Sequence, residues 1–192
     1  AADADVANAA ASLAYGAFYN NGQSCFSVER IYEHEALHEQ FVDAFVAAVD
    51  AMKIGDPREE DTYLGPLTRP TQADVLRRQV TQATAAGARV LRGGLQLPGP
   101  GTWFEPTVLV DVDHGMEVMR EESFGPVIGI QAVAGDEEAA ALMADTDYGL
   151  TAGVFSPSRQ RAESLLGGLD VGSAYWNCCD RVSPTLPWSG RQ

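Results

Sequence analysis

Two apolar periods take turns along this chain, and their alternation restricts its fold more than any other feature. Val6, Ala10, Leu13, Ala14, Ala17 and Phe18 recur at helical spacing until Gly22. Leu37, Phe41, Ala44, Phe45, Ala48, Val49 and Met52 do so again, with Gly55 as the stop. A third helix is predicted over 71–86, with Val75, Leu76, Val80 and Ala83 inward and Gly87 closing it. Two more are predicted over 136–144, with Asp136 as N-cap, and over 158–166, before Gly167-Gly168. Strands are predicted over 26–32, 88–91, 104–112, 126–133, 151–155 and 171–176, the fourth apolar enough to be covered on both faces. Residues 55–70 and the glycine- and proline-rich 92–102 are expected to be loops. Helices alternating with strands at these lengths imply parallel β-α-β units. The fold class is therefore α/β, an open, mostly parallel sheet flanked by helices, as a single domain over 1–192.

A chain of 192 residues can bury a sizeable core without staples. Its net charge of −14 leaves no basic stripe for a phosphate backbone or an anionic membrane, so neither nucleic acid nor membrane is an expected partner. The uncharged stretch 6–28 is broken by Asn8, Ser12, Asn20, Asn21, Gln23 and Ser24, and is read as neither a span nor a signal peptide. Cys25, Cys178 and Cys179 are too few for a disulfide framework and form no zinc-type pair, which fits a reducing, cytoplasmic setting. His34 and His38 have a metal-capable spacing but no third ligand nearby, so no metal is expected. Because the chain opens on Ala1 and stops at Gln192, both ends are expected to be cut.

Three stretches could carry chemistry. Asn20-Asn21-Gly22-Gln23-Ser24-Cys25 is a polar turn with a cysteine at a helix-to-strand junction. Gly22 permits close approach, and Cys25 would sit where its own N–H could meet an oxyanion. Read alone, Cys25 is either a nucleophile or a small buried hydrophobe. In 120–127, Glu122 could accept from sugar hydroxyls and Phe124 could wall a heteroaromatic ring, or the pair is a solvated charge and a core phenylalanine. In 176–181, at the end of the last strand, Cys178 and Cys179 are read as free thiols lining a ligand loop. No G-x-G-x-x-G follows a strand, and there is neither a P-loop nor an H-E-x-x-H.

Taken in order, these stretches resemble the aldehyde dehydrogenase superfamily. The resemblance rests on Asn21-Gly22-Gln23-Ser24-Cys25, on Gly55-Asp56-Pro57 and Gly65-Pro66-Leu67, and on Glu105-Pro106-Thr107. It continues through Glu121-Glu122-Ser123-Phe124-Gly125-Pro126-Val127, Tyr148-Gly149-Leu150-Thr151-Ala152, Asn177 and Pro187-Trp188-Ser189-Gly190-Arg191. The G-Q-x-C and E-E-x-F-G-P-V motifs are specific, and the matches run along nearly the whole chain.

The resemblance implies oxidation of an aldehyde to a carboxylic acid with NAD or NADP, with Cys25 as nucleophile. It also implies that Glu122 holds the nicotinamide ribose, that Phe124 packs beside the ring, and that Gln72 touches the cofactor. Ser24, Phe26, Asn177, Cys178 and Arg181 would shape or support the aldehyde pocket; Arg181 could meet an anionic substrate tail or equally sit in a surface ion pair. Family members are more than twice as long. Their nucleotide-binding domain, general-base glutamate, oxyanion-hole asparagine and oligomerisation strand would lie outside these residues. The expectation is a catalytic lobe from a homo-oligomeric enzyme, inactive by itself. Two other readings are a truncated non-catalytic paralogue that binds intact subunits, and a thiol esterase or acyl-transfer protein that needs no nicotinamide.

Overall fold

The computed structural model describes residues 1–179, 182, 185 and 188–191. Helix α1 (Val6–Phe18) starts at Asp5, whose carboxylate accepts the N–H of Asn8 at 3.1 Å. A short turn, Tyr19–Gly22, leads toward β1 (Arg30–His34) and α2 (His38–Asp50). Helix α3 (Pro70–Ala85) opens with proline at its first position, where the missing N–H costs nothing. After it come β2 (Arg89–Arg92), β3 (Gln96–Leu97), β4 (Trp103–Phe104) and β5 (Thr107–Val110). The chain continues through α4 (Glu117–Arg120), β6 (Val127–Val133) and α5 (Asp136–Ala144). It closes with β7 (Thr151–Val154), α6 (Arg159–Leu166) and β8 (Ser173–Trp176).

The main sheet has the order β1-β6-β5-β2, with β6 parallel to both β1 and β5. Its faces bury two apolar cores. Phe18, Phe41, Phe45 and Val49 of α1 and α2 pack with Val108, Ile128 and Ile130 on one side. Leu76 and Val80 of α3 and Met119 of α4 pack with Leu109 and Val127 on the other. Strand β6 lies between these cores, which is why it reads as a continuous apolar run.

The architecture confirms a mostly parallel α/β sheet flanked by helices and corrects several details. Strand β2 runs antiparallel to β5, and β7 and β8 form a separate parallel pair rather than extending the main sheet. Residues 26–29 precede β1 instead of belonging to it, because Ser24–Ser27 close a turn with the Ser27 N–H on the Ser24 carbonyl at 3.0 Å. The expected strand 104–112 is cut at Glu105-Pro106, since proline cannot donate to a ladder. Gln96–Leu97, expected as loop, pairs antiparallel with Trp103–Phe104. The N-cap of α5 is Gly135; Asp136 lies in the first turn and pairs with Arg161. Strands β1 and β7 each have one side that no described strand pairs, and residues of both line a cavity of about 430 Å³. Among the described residues no helix is long and apolar enough to cross a membrane, and no cluster of three metal-ligating side chains is found.

Candidate active site

The cysteine turn is built by its asparagines. Asn20 and Asn21 take positive φ (50° and 60°), a conformation asparagine tolerates better than most residues. The Asn20 side chain donates to the Gln23 carbonyl at 2.9 Å. Asn21 donates to the Gly65 carbonyl at 3.0 Å, and the Gln23 side-chain oxygen accepts from the Thr68 N–H at 2.8 Å. These bonds fasten the turn to the Gly65-Pro66-Leu67 loop and leave Cys25 exposed, with a free thiol. Among the described residues nothing accepts the Cys25 N–H.

Gly22 explains how the second motif reaches the first. It sits at φ +70°, and a Cβ there would lie 2.2 Å from the carbonyl oxygen of Gly125. The cysteine turn and the Glu121–Gly125 turn are therefore backed directly against each other, main chain to main chain. Gly125 is in turn covered by Leu76 of α3, which a Cβ would meet at 2.7 Å.

Three distant side chains hold the second turn. Glu29 accepts the N–H groups of Ser123 at 2.9 Å and of Phe124 at 3.2 Å. Gln72, from the first turn of α3, donates its amide to the Ser123 carbonyl. The Tyr148 hydroxyl accepts the Glu122 N–H and donates to the Glu121 carboxylate, both at 3.3 Å. Arg30 steadies that tyrosine. Its guanidinium lies 5.9 Å from the ring centre while donating to the Met119 carbonyl and the Thr146 hydroxyl. So held, Phe124 is 36% exposed at φ +47°, and no described residue takes up the exposed Glu122 carboxylate. An open carboxylate beside an open aromatic face is a donor-and-stacking set that fits a sugar hydroxyl and a heteroaromatic ring. Gln72 differs, because its amide is engaged in holding the turn.

The remaining expected residues fall in several places. Phe26 lines the cavity together with Cys25, Glu29, Glu122 and Tyr148, its ring stacked on Tyr19 and edge-on to Trp188. Ser24 closes the cysteine turn through its carbonyl. Asn177, at φ +51°, spends its side chain on the main chain of Ser156, accepting its N–H at 2.9 Å and donating to its carbonyl at 3.0 Å. It ties the end of β8 to the end of β7. Cys178 is partly buried and Cys179 is buried with its thiol 3.2 Å from the Ser12 carbonyl, while Arg181 lies outside the described residues. His34 accepts the Ala36 N–H, and His38 pairs with Glu33. Reading the sequence missed Glu29 and gave Tyr148 no role. The only hint of the first was a carboxylate directly after a long uncharged stretch.

Glu29 has an unusual electrostatic position. Removal from water raises its carboxyl to about 7, the charge of Glu122 adds to the rise, and the two N–H bonds oppose it.

Comparison with known proteins assigns the family. The sequence model of the aldehyde dehydrogenase family matches residues 1–192. The chain is 35% identical to the chloroplastic betaine aldehyde dehydrogenase of Atriplex hortensis, over 98% of this chain and 38% of that protein. It is 38% identical to the succinate semialdehyde dehydrogenase [NAD(P)+] Sad of Escherichia coli (strain K12), over 91% of this chain and 38% of that protein. The solved NAD-dependent aldehyde dehydrogenase from Sinorhizobium meliloti superposes with a TM-score of 0.95 at 32% identity, covering 98% of this chain and 38% of that one. The chain thus spans a little over a third of the length of these relatives, and it belongs to the aldehyde dehydrogenase family.

Proposed function

We propose that these residues carry the nucleophile of an enzyme that oxidises an aldehyde to a carboxylic acid with NAD or NADP. The observation that carries the reading is the main-chain contact at Gly22 and Gly125, which sets an exposed cysteine beside a turn presenting Glu122 and Phe124. The Cys25 thiolate adds to the carbonyl carbon, giving a thiohemiacetal whose oxygen can take the Cys25 N–H. Bound NAD(P)+ supplies the hydride acceptor. Glu122 would hold its ribose and Phe124 its ring, with Gln72, Tyr148 and Glu29 keeping the turn in place. Loss of hydride leaves an acyl thioester on Cys25, and water releases the acid and restores the thiolate. The cavity beside Cys25, walled by Phe26, would receive the aldehyde. The acidic charge fits a parent with no nucleic-acid or anionic-membrane partner, the small number of cysteines fits a cytoplasmic setting, and the family resemblance suggests a homo-oligomer.

The test is NAD(P)H formation by the full-length protein across a panel of aldehydes, beside Cys25→Ala. Turnover is expected in the wild type and absent in the variant, and absent from the 192-residue chain alone. A wild type that forms no NAD(P)H with any aldehyde while Cys25 is rapidly alkylated would overturn the reading.

A further inference from the structure

We infer that Glu29 is a positioning residue that fastens the turn bearing Glu122 and Phe124 to the segment bearing Cys25, and so sets the strength of the cofactor grip. The inference rests on the function proposed above. Glu29 stands four residues after Cys25, yet its carboxylate bonds a turn that is remote in sequence. Each oxygen takes one of two consecutive amides: Oε2 that of Ser123, Oε1 that of Phe124. Phe124 needs such a hold, because φ +47° is a conformation that a bulky residue leaves unless its surroundings fix it. Gln72 and Tyr148 grip the neighbouring carbonyl and amide, but neither reaches the Phe124 N–H.

Both oxygens are strong acceptors only while the group is ionised. A protonated carboxyl keeps one good acceptor and gains a donor that faces two N–H groups. The fork is therefore whole above neutrality and broken below it. Charged or titratable groups sharing the cavity wall are Glu121 and Glu122 on the turn, Arg30, Tyr32, Glu33 and His34 on β1, Asp136 on α5, Asp147 and Tyr148 before β7, Tyr175 on β8, and Cys25, Cys179 and the amino terminus at Ala1. Glu122 is the charge that acts most on Glu29. As the pH falls, the turn loses the fork just where the nicotinamide would be seated.

The experiment compares full-length wild type with Glu29→Gln and Glu29→Asp. Direct NAD(P)+ binding, kcat and KM are followed from about pH 6 to about pH 9, a window that brackets a carboxyl of this kind. Glu29→Gln keeps the shape but cannot ionise. It is expected to raise the cofactor Kd and KM about tenfold at high pH, the size of one charge-assisted hydrogen bond, with a smaller effect on kcat. In the wild type Kd should rise as the pH falls through about 7, and in Glu29→Gln it should stay flat. Glu29→Asp should recover part of the grip and the pH dependence. Hydrogen exchange at the Ser123 and Phe124 amides should quicken in Glu29→Gln while Cys25 alkylation keeps its rate, which separates a loosened turn from a misfolded chain. Equal Kd and equal pH profiles in wild type and Glu29→Gln would overturn the role of Glu29 alone. A wild type that binds no NAD(P)+ at any pH would overturn the cofactor reading and this inference with it.

Discussion

At the scale of single residues, Gly22 has the least freedom to change. Alanine there is strained at φ +70° and points its Cβ at backbone, which cannot rotate aside. Gly22→Ala is expected to cost at least about 2 kcal/mol and to part the two turns, seen as a lowered denaturation midpoint and a loss of cofactor binding in the full-length protein. Asn177→Ala should behave differently, costing about 1–3 kcal/mol through its two bonds to Ser156. Once that loss is offset by low temperature, the alkylation rate of Cys25 should be unchanged. Glu29 also links stability to pH. Its folded value lies above the 4.5 of a free glutamate, so the proton is held more tightly in the folded state. The stabilisation is complete below about 4.5 and is lost as the pH rises through about 7, and Glu29→Gln should remove that component from a plot of midpoint against pH. Cys25, Glu122 and Phe124 were singled out in the sequence by the resemblance of their motifs, since turn context alone left each with a structural alternative, and the structure brings the two turns that carry them together. Glu29 was not, since its contacts depend on how a distant turn comes back to meet it.

At the scale of elements, helix α1 shows why local rules worked. Asp5 caps it, its apolar stripe is continuous, and Phe18 ends fully buried against α2. Asp5→Ala should cost about 1 kcal/mol, measurable by chemical denaturation. Strand β6 was equally legible, its apolar run reflecting a core on each face. The errors cluster where pairing is decided by partners remote in sequence. Nothing local in Arg89–Arg92 says that it will run against β5, and nothing in Gln96–Leu97 announces a partner at Trp103–Phe104. The cut at Glu105-Pro106 is another matter, since proline in that run was a readable warning. Gly135 displaced Asp136 as cap because Arg161 claims the carboxylate, a contact invisible to any window of neighbouring residues.

At the scale of the whole molecule, two strand systems meet around one cavity. The edges of β1 and β7 that border it carry main-chain donors and acceptors that no described strand completes. An open edge of this kind is a template for another extended chain. Nothing in it distinguishes a strand of the same protein from one borrowed from a neighbouring copy. The 192-residue piece, purified alone, should therefore associate in proportion to its concentration, as light scattering would show, and a soluble monomer at high concentration would argue that the edges are closed. The same feature ties the recombinant yield of such a piece to strand exchange between copies as well as to the stability of its core.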